Sequence, residues 1–142
     1  LYHSESFELG DASPVVELLL PGTYRLDISG QGVTGNYAFR LLDLDTATDI
    51  TAGEVVSGQF NPVNETDLYR FTVPEAGGRY YLDRRALSTN VASDWLSWRL
   101  VDPFGRQVFG PMSFNDRDVF ELAIAGTYTL VAESRIWTTQ YT

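Results

Sequence analysis

The sequence has no cysteine, no lysine, one histidine (His3) and one methionine (Met112). Without cysteine there is no disulfide framework, no thiol nucleophile and no Cys/His zinc site. Without lysine there is no Schiff base and no Lys–Asn isopeptide cross-link. A Ser/His/Asp triad would rest on His3 alone, at the edge of the sequence. The ten cations, all arginine, face 19 acidic residues, and the net charge is −9. Such a chain repels phosphate backbones, so nucleic acid is not an expected partner. No run approaches the ~18 apolar residues of a spanning helix, and no membrane insertion is expected. Of the 142 residues, 44% are hydrophobic and 13% aromatic, enough for one domain with its own core.

Helix signals are nearly absent. Short runs alternate apolar and polar residues with period 2, as in Tyr24–Ile28, Tyr37–Leu41, Phe120–Ile124 and Tyr128–Ala132. In Leu68–Val73 the aromatic set points one way and Leu68, Arg70 and Thr72 the other. Turn signals separate the runs: Pro21-Gly22, Gly77-Gly78, Asp102-Pro103-Phe104-Gly105 and Ala125-Gly126. Asp102–Gly105 reads as a type I turn between strands Trp95–Val101 and Arg106–Phe109. Arg84–Ser93 reads as loop or a short turn. About a dozen short strands are expected, and the fold class is all-β, an antiparallel β-sandwich of jelly-roll type.

An internal repeat is the most informative feature. Val15–Leu26 aligns with Val119–Leu130 at an offset of 104, and the register continues ungapped through Thr34/Thr138 and Tyr37/Tyr141. Nine of the 24 positions from Val15 to Ala38 are identical to their partners. The expectation is a fragment of a longer array. Residues 1–45 would be the last strands of one copy, 46–52 an acidic linker, and 53–142 a second copy lacking the end of its final strand. Either residues 1–45 pack on the second unit, with Tyr37–Leu44 closing it as in a permuted domain, or two units stand side by side. In the repeated corner, Gly22 and Gly126 allow a tight strand entry. Tyr24 and Tyr128 bury a ring while the hydroxyl reaches a partner.

The second copy carries Gly53-Glu54-Val55-Val56-Ser57-Gly58, then Glu65–Val73, Ala76-Gly77-Gly78, Leu100–Gly105 and Ala125–Leu130. In this order the motifs resemble the bacterial pre-peptidase C-terminal (PPC) domain, a β-sandwich module appended to secreted peptidases and large surface proteins. The resemblance covers roughly residues 50–142 and the matching tail at 15–44. Trp95, Trp98 and the expanded stretch Arg84–Ser93 depart from the family pattern.

Calcium is the first candidate chemistry. Asp43, Asp45 and Asp49 lie in the linker, and Asn64, Glu65 and Asp67 in a loop of the second copy. Ca²⁺ takes six to eight oxygens from such acidic segments. Collagen-binding members of the family hold calcium through acidic residues of these two places, so the resemblance implies a site here. The spacing Asp43-x-Asp45-x-x-x-Asp49 lacks the Gly and terminal Glu of an EF-hand. A solvated acidic linker is the plain alternative. Asp67 can also accept backbone N–H groups at the strand start.

An aromatic platform is the second. If Leu96, Trp98 and Leu100 face the core, Trp95 faces solvent with Arg99 beside it. With Tyr80 or Tyr81 such a ring suits sugar stacking or a peptide contact. The alternative is rings covered by neighbouring loops or repeats, and Trp137 shares the ambiguity. A paired-carboxylate hydrolase is arithmetically open, but nothing puts two carboxylates on a shared face. Asn64-Glu65-Thr66 matches a glycosylation sequon of a kind common by chance. The expected function is non-catalytic: an extracellular or cell-surface repeat module, structural or adhesive, stabilised by Ca²⁺, with neighbouring repeats as partners. The alternative is an accessory module binding polysaccharide or collagen-like protein for a secreted hydrolase.

Overall fold

The computed structural model describes residues 15, 16, 18, 20–28, 32, 34–61, 65–87 and 95–134. Seven strands stand among them: β1 (Thr48–Asp49), β2 (Thr66–Val73), β3 (Gly78–Leu82), β4 (Leu96–Val101), β5 (Gln107–Ser113), β6 (Arg117–Leu122) and β7 (Gly126–Ser134). A 3-10 turn spans Leu44–Thr46. No helix is long and apolar enough to cross a membrane among those residues. The strands form a five-stranded sheet in the order β1-β2-β7-β4-β5 and a two-stranded sheet, β3-β6. The protein is an all-β sandwich.

Cross-strand register fixes which side chains face inward. Phe71 pairs with Tyr128 and Tyr69 with Leu130, so these four share one face of the large sheet. Trp98 pairs with Ala132 and Leu100 with Leu130, which places β4's Trp98 and Leu100 on the same face. Across the core lie Tyr80 of β3 and Phe120 and Leu122 of β6. Phe71 meets Tyr80 at 5.8 Å between ring centroids, and Phe109 of β5 meets Phe120 edge-on at 5.2 Å. Tyr128, Leu100, Leu122 and Val73 are fully buried at the centre. Each such aliphatic side chain contributes roughly 1.5–3 kcal/mol by leaving water.

The Asp102–Gly105 turn forms as its sequence requires. Gly105 N–H donates to the Asp102 carbonyl at 3.0 Å, closing the turn. The Asp102 carboxylate accepts the N–H groups of Phe104 and Arg106 at 2.8 and 2.9 Å and the Arg106 guanidinium at 2.8 Å. Burial pushes this carboxyl's pKa up, but the hydrogen bonds from Arg106 and Phe104 outweigh it and hold it below the usual value. The tip of the turn leans on β7: a Cβ on Gly126 would stand 2.7 Å from Pro103 Cγ, and φ there is +138°. Only glycine fits that contact at that backbone angle.

The pairing is antiparallel throughout these strands but for one short exception, and two other expectations need correction. β1 runs parallel to β2. The connection between them spans residues 50–65, long enough for the crossover that parallel pairing requires. The second face of β4 is not solvated: Ser97 and Val101 are buried there and Arg99 is half-buried. On that face Arg99 pairs with Glu133 of β7, and both side chains are largely covered. The runs Tyr24–Ile28 and Tyr37–Leu41 belong to none of the seven strands. A strand exists through its hydrogen-bonded neighbour, and the described residues supply none to these runs. Their apolar side chains, Tyr24, Leu26, Tyr37, Phe39 and Leu41 among them, stand exposed.

Candidate functional site

The acidic residues separate into three arrangements. Asp43 caps the 3-10 turn by accepting the Asp45 N–H at 3.0 Å. Asp49 is held by Arg70, whose Nε donates to Oδ1 at 2.6 Å and Nη2 to Oδ2 at 3.2 Å. The third nitrogen of the same guanidinium, Nη1, donates to the Asp45 carbonyl at 2.9 Å. The hydrogen bond from Arg70 holds the Asp49 carboxyl below its usual pKa. Glu65 accepts the backbone N–H of Asn61, and Asp67 is half-buried in β2. Burial and the nearby Glu65 charge push the Asp67 carboxyl above its usual value, with Arg40 opposing them. Asn64 lies outside the described residues, as do His3, Asp94 and Trp137. Among the described residues, no three His, Cys, Asp or Glu side chains converge as a metal would need.

A shallow cleft of about 220 Å³ runs beside the first half of β2, lined by Leu42, Thr46, Thr48, Thr66, Asp67, Leu68 and Tyr69. It exists because β1 is two residues long and pairs only with Tyr69 and Arg70. Asp67 is the one carboxylate in its lining. Burial, reinforced by Asp67 and Glu65, raises the Tyr69 hydroxyl's pKa.

The aromatic candidates divide between core and surface. Tyr80 belongs to the core, its ring tilted against Phe71 and Phe120. Tyr81, next in β3, points outward and is 53% exposed. Burial and the carboxylate of Asp116, with those of Asp83 and Asp118, raise its hydroxyl's pKa. Trp95 precedes β4 and is 36% exposed. Arg99 does not extend a surface beside it. Its side chain is 13% exposed and paired with Glu133 of β7, itself 12% exposed. Trp98 packs on Phe114 at 4.3 Å in the core. No strip joins the four candidates: one ring is core, the guanidinium is buried, and Tyr81 stands on the two-stranded sheet whereas Trp95 precedes β4 of the other.

Strand pairing brings together groups that sequence spacing did not. Arg99 and Glu133 meet because β4 and β7 are neighbours, 34 residues apart in sequence. Arg117 of β6 lies over the Phe109 ring at 4.7 Å and the Phe120 ring at 5.6 Å, a cation held on aromatic faces. No local pattern signals either contact. Alternation with the aromatics of β2 puts Arg70 on the face opposite the core, but the parallel pairing of β1 is what brings Asp49 to it.

The repeated corner takes the same local form twice. Tyr128 donates its hydroxyl to the Ile124 carbonyl at 2.9 Å, four residues upstream. Tyr24 donates to the Leu20 carbonyl, also four upstream. No family model matches the chain, and no curated protein or solved structure matches it.

Proposed function

We propose that the protein is a non-catalytic β-sandwich module, one unit of a repeated array on a secreted or cell-surface protein, with neighbouring repeats as its partners. The observation that carries this reading is the tyrosine corner formed at both Tyr24 and Tyr128, 104 residues apart. Arg70 supports a spacing role, because its three hydrogen bonds tie residues 45–49 to the second unit's sheet. An acidic, lysine-free surface keeps such an array soluble and self-repelling. The resemblance to the PPC domain and the jelly-roll form of the sandwich are part of the same proposal.

Calcium enters at Glu65 and Asp67, two carboxylates at one end of β2 whose mutual repulsion a cation would relieve. A second reading, an accessory module binding polysaccharide or a collagen-like protein, is favoured by the exposed rings of Trp95 and Tyr81. Small-angle scattering from a polypeptide carrying two complete repeats tests the spacing role. The expected result is one sharp inter-unit distance. A broad distance distribution would mean a flexible tether and would overturn the structural reading.

A further inference from the structure

We infer that residues 15–28 form the β6–β7 half of a second sandwich, and that its other half is a β2–β5 set from another copy of this repeat. The inference rests on the repeat-module reading and names the partner surface that reading requires. The 104-residue register pairs Leu18 with Leu122 and Tyr24 with Tyr128. Leu122 and Tyr128 are each 1% exposed, whereas Leu18 is 54% and Tyr24 52% exposed. Val16, Leu20, Leu26 and Ile28 are exposed too, and they alternate along the chain as strand residues of one face do. Six exposed apolar side chains within 13 residues are more than a lone surface segment carries without a partner.

Local and distant contacts divide cleanly in this segment. The corner is already made, with the Tyr24 hydroxyl on the Leu20 carbonyl. Val15 lies against the Asp102–Gly105 turn, but among the described residues the contacts that cover Gly126 and Tyr128 have no counterpart at Gly22 and Tyr24. A Cβ on Gly126 would strike Pro103 at 2.7 Å, but one on Gly22 would meet nothing within 4 Å. Tyr128 stacks on Phe71 of β2 at 5.9 Å, but the described residues place no such ring against Tyr24. The second copy therefore specifies what covers the first. The cover must supply a β2 like Tyr69-x-Phe71-x-Val73, a β4 like Leu96-x-Trp98-x-Leu100, and a turn like Asp102–Gly105 to fill the space beside Gly22.

The test lengthens the chain in register. Position 118 is equivalent to position 14, so residues 46–118 are placed directly ahead of residue 15. Amide hydrogen exchange is then read at Gly22–Ile28 and at Gly126–Ala132 in the lengthened and original chains. In the lengthened chain Gly22–Ile28 should slow to within about tenfold of Gly126–Ala132. Leu18→Asp combined with Leu26→Asp should return Gly22–Ile28 to fast exchange and leave Gly126–Ala132 slow. Both leucines are exposed in the original chain, so the pair does not unfold the second copy. Fast exchange at Gly22–Ile28 beside slow exchange at Gly126–Ala132 overturns the inference and leaves the module reading standing. Protection that survives the double substitution also overturns it. Fast exchange in both segments overturns the module reading and the inference together.

Discussion

Arg70 grips Asp49 through two nitrogens and the backbone of Asp45 through the third, so one guanidinium clamps the acidic stretch onto β2. The pair is exposed, with side-chain exposure of 33% for Arg70 and 80% for Asp49. Exposed, solvent-screened pairs contribute little to global stability. Its effect is local order. Arg70→Met should leave the melting temperature nearly unchanged and speed exchange at the Ile50 N–H, which donates to the Arg70 carbonyl. An unchanged Ile50 rate would show that the backbone pairing alone orders the segment.

Asp67 gives a prediction whose sign runs against the usual carboxylate. Its folded pKa is raised, by burial first and by Glu65 second. The ionised form is therefore penalised in the folded state at neutral pH, and the penalty fades as pH falls toward the ordinary carboxylate range. Asp67→Asn should raise the melting temperature at pH 7, and the gain should vanish near pH ~4. Calcium should raise the melting temperature of the unaltered protein, and Asp67→Ala should abolish that rise. Identical melts in calcium and in chelator remove the metal from the account.

Asp102 behaves in the ordinary sense. Its folded pKa is lowered, so its contribution is present above the unfolded value of about 3.9 and is lost as pH falls through the folded one. Asp102→Ala removes acceptors for Phe104, Arg106 and the Arg106 guanidinium and should cost about 2 kcal/mol in denaturant melts at pH 7. Asp102→Asn keeps an acceptor for the backbone groups and should cost less. The gap between wild type and Asp102→Ala should shrink in acid; a constant gap would mean that the charge contributes nothing.

The two tryptophans of the β4 region separate packing from surface. Trp98 is buried against Phe114, and Trp98→Ala should cost about 3–5 kcal/mol. Trp95→Ala should cost under about 1 kcal/mol, because the ring is partly in water. On the accessory-module reading, Trp95→Ala and Tyr81→Ala weaken retention on immobilised polysaccharide or fibrillar collagen without lowering the melting temperature. Equal retention of wild type and both variants would set that reading aside.

The elements legible in the sequence were those set by local chemistry. The turn at Asp102–Gly105 follows from an aspartate, a proline and a glycine at fixed offsets. The inward set of β2 follows from alternation, and the corner at Tyr128 follows from a glycine two residues before a tyrosine. What failed was everything decided by neighbours. Arg99 looked like a surface cation because alternation opposed it to Trp98, yet β7 and β5 flank its strand and Glu133 meets it there. Tyr80 and Tyr81 were indistinguishable as a pair until β6 put Phe120 against the first. The linker carboxylates read as free ligands because nothing in their own spacing shows that Arg70 stands across from them.

The central claim is that residues 15–28 and 119–132 are two copies of one building block. A crystal structure of the lengthened polypeptide tests it most directly. The expected result is that the backbones of residues 20–28 and 124–132 superpose, with each tyrosine hydroxyl on the carbonyl four residues upstream and a proline beside Gly22 as Pro103 stands beside Gly126. A helical or otherwise unlike path for residues 20–28, with the Tyr24 hydroxyl bonded elsewhere, would contradict it.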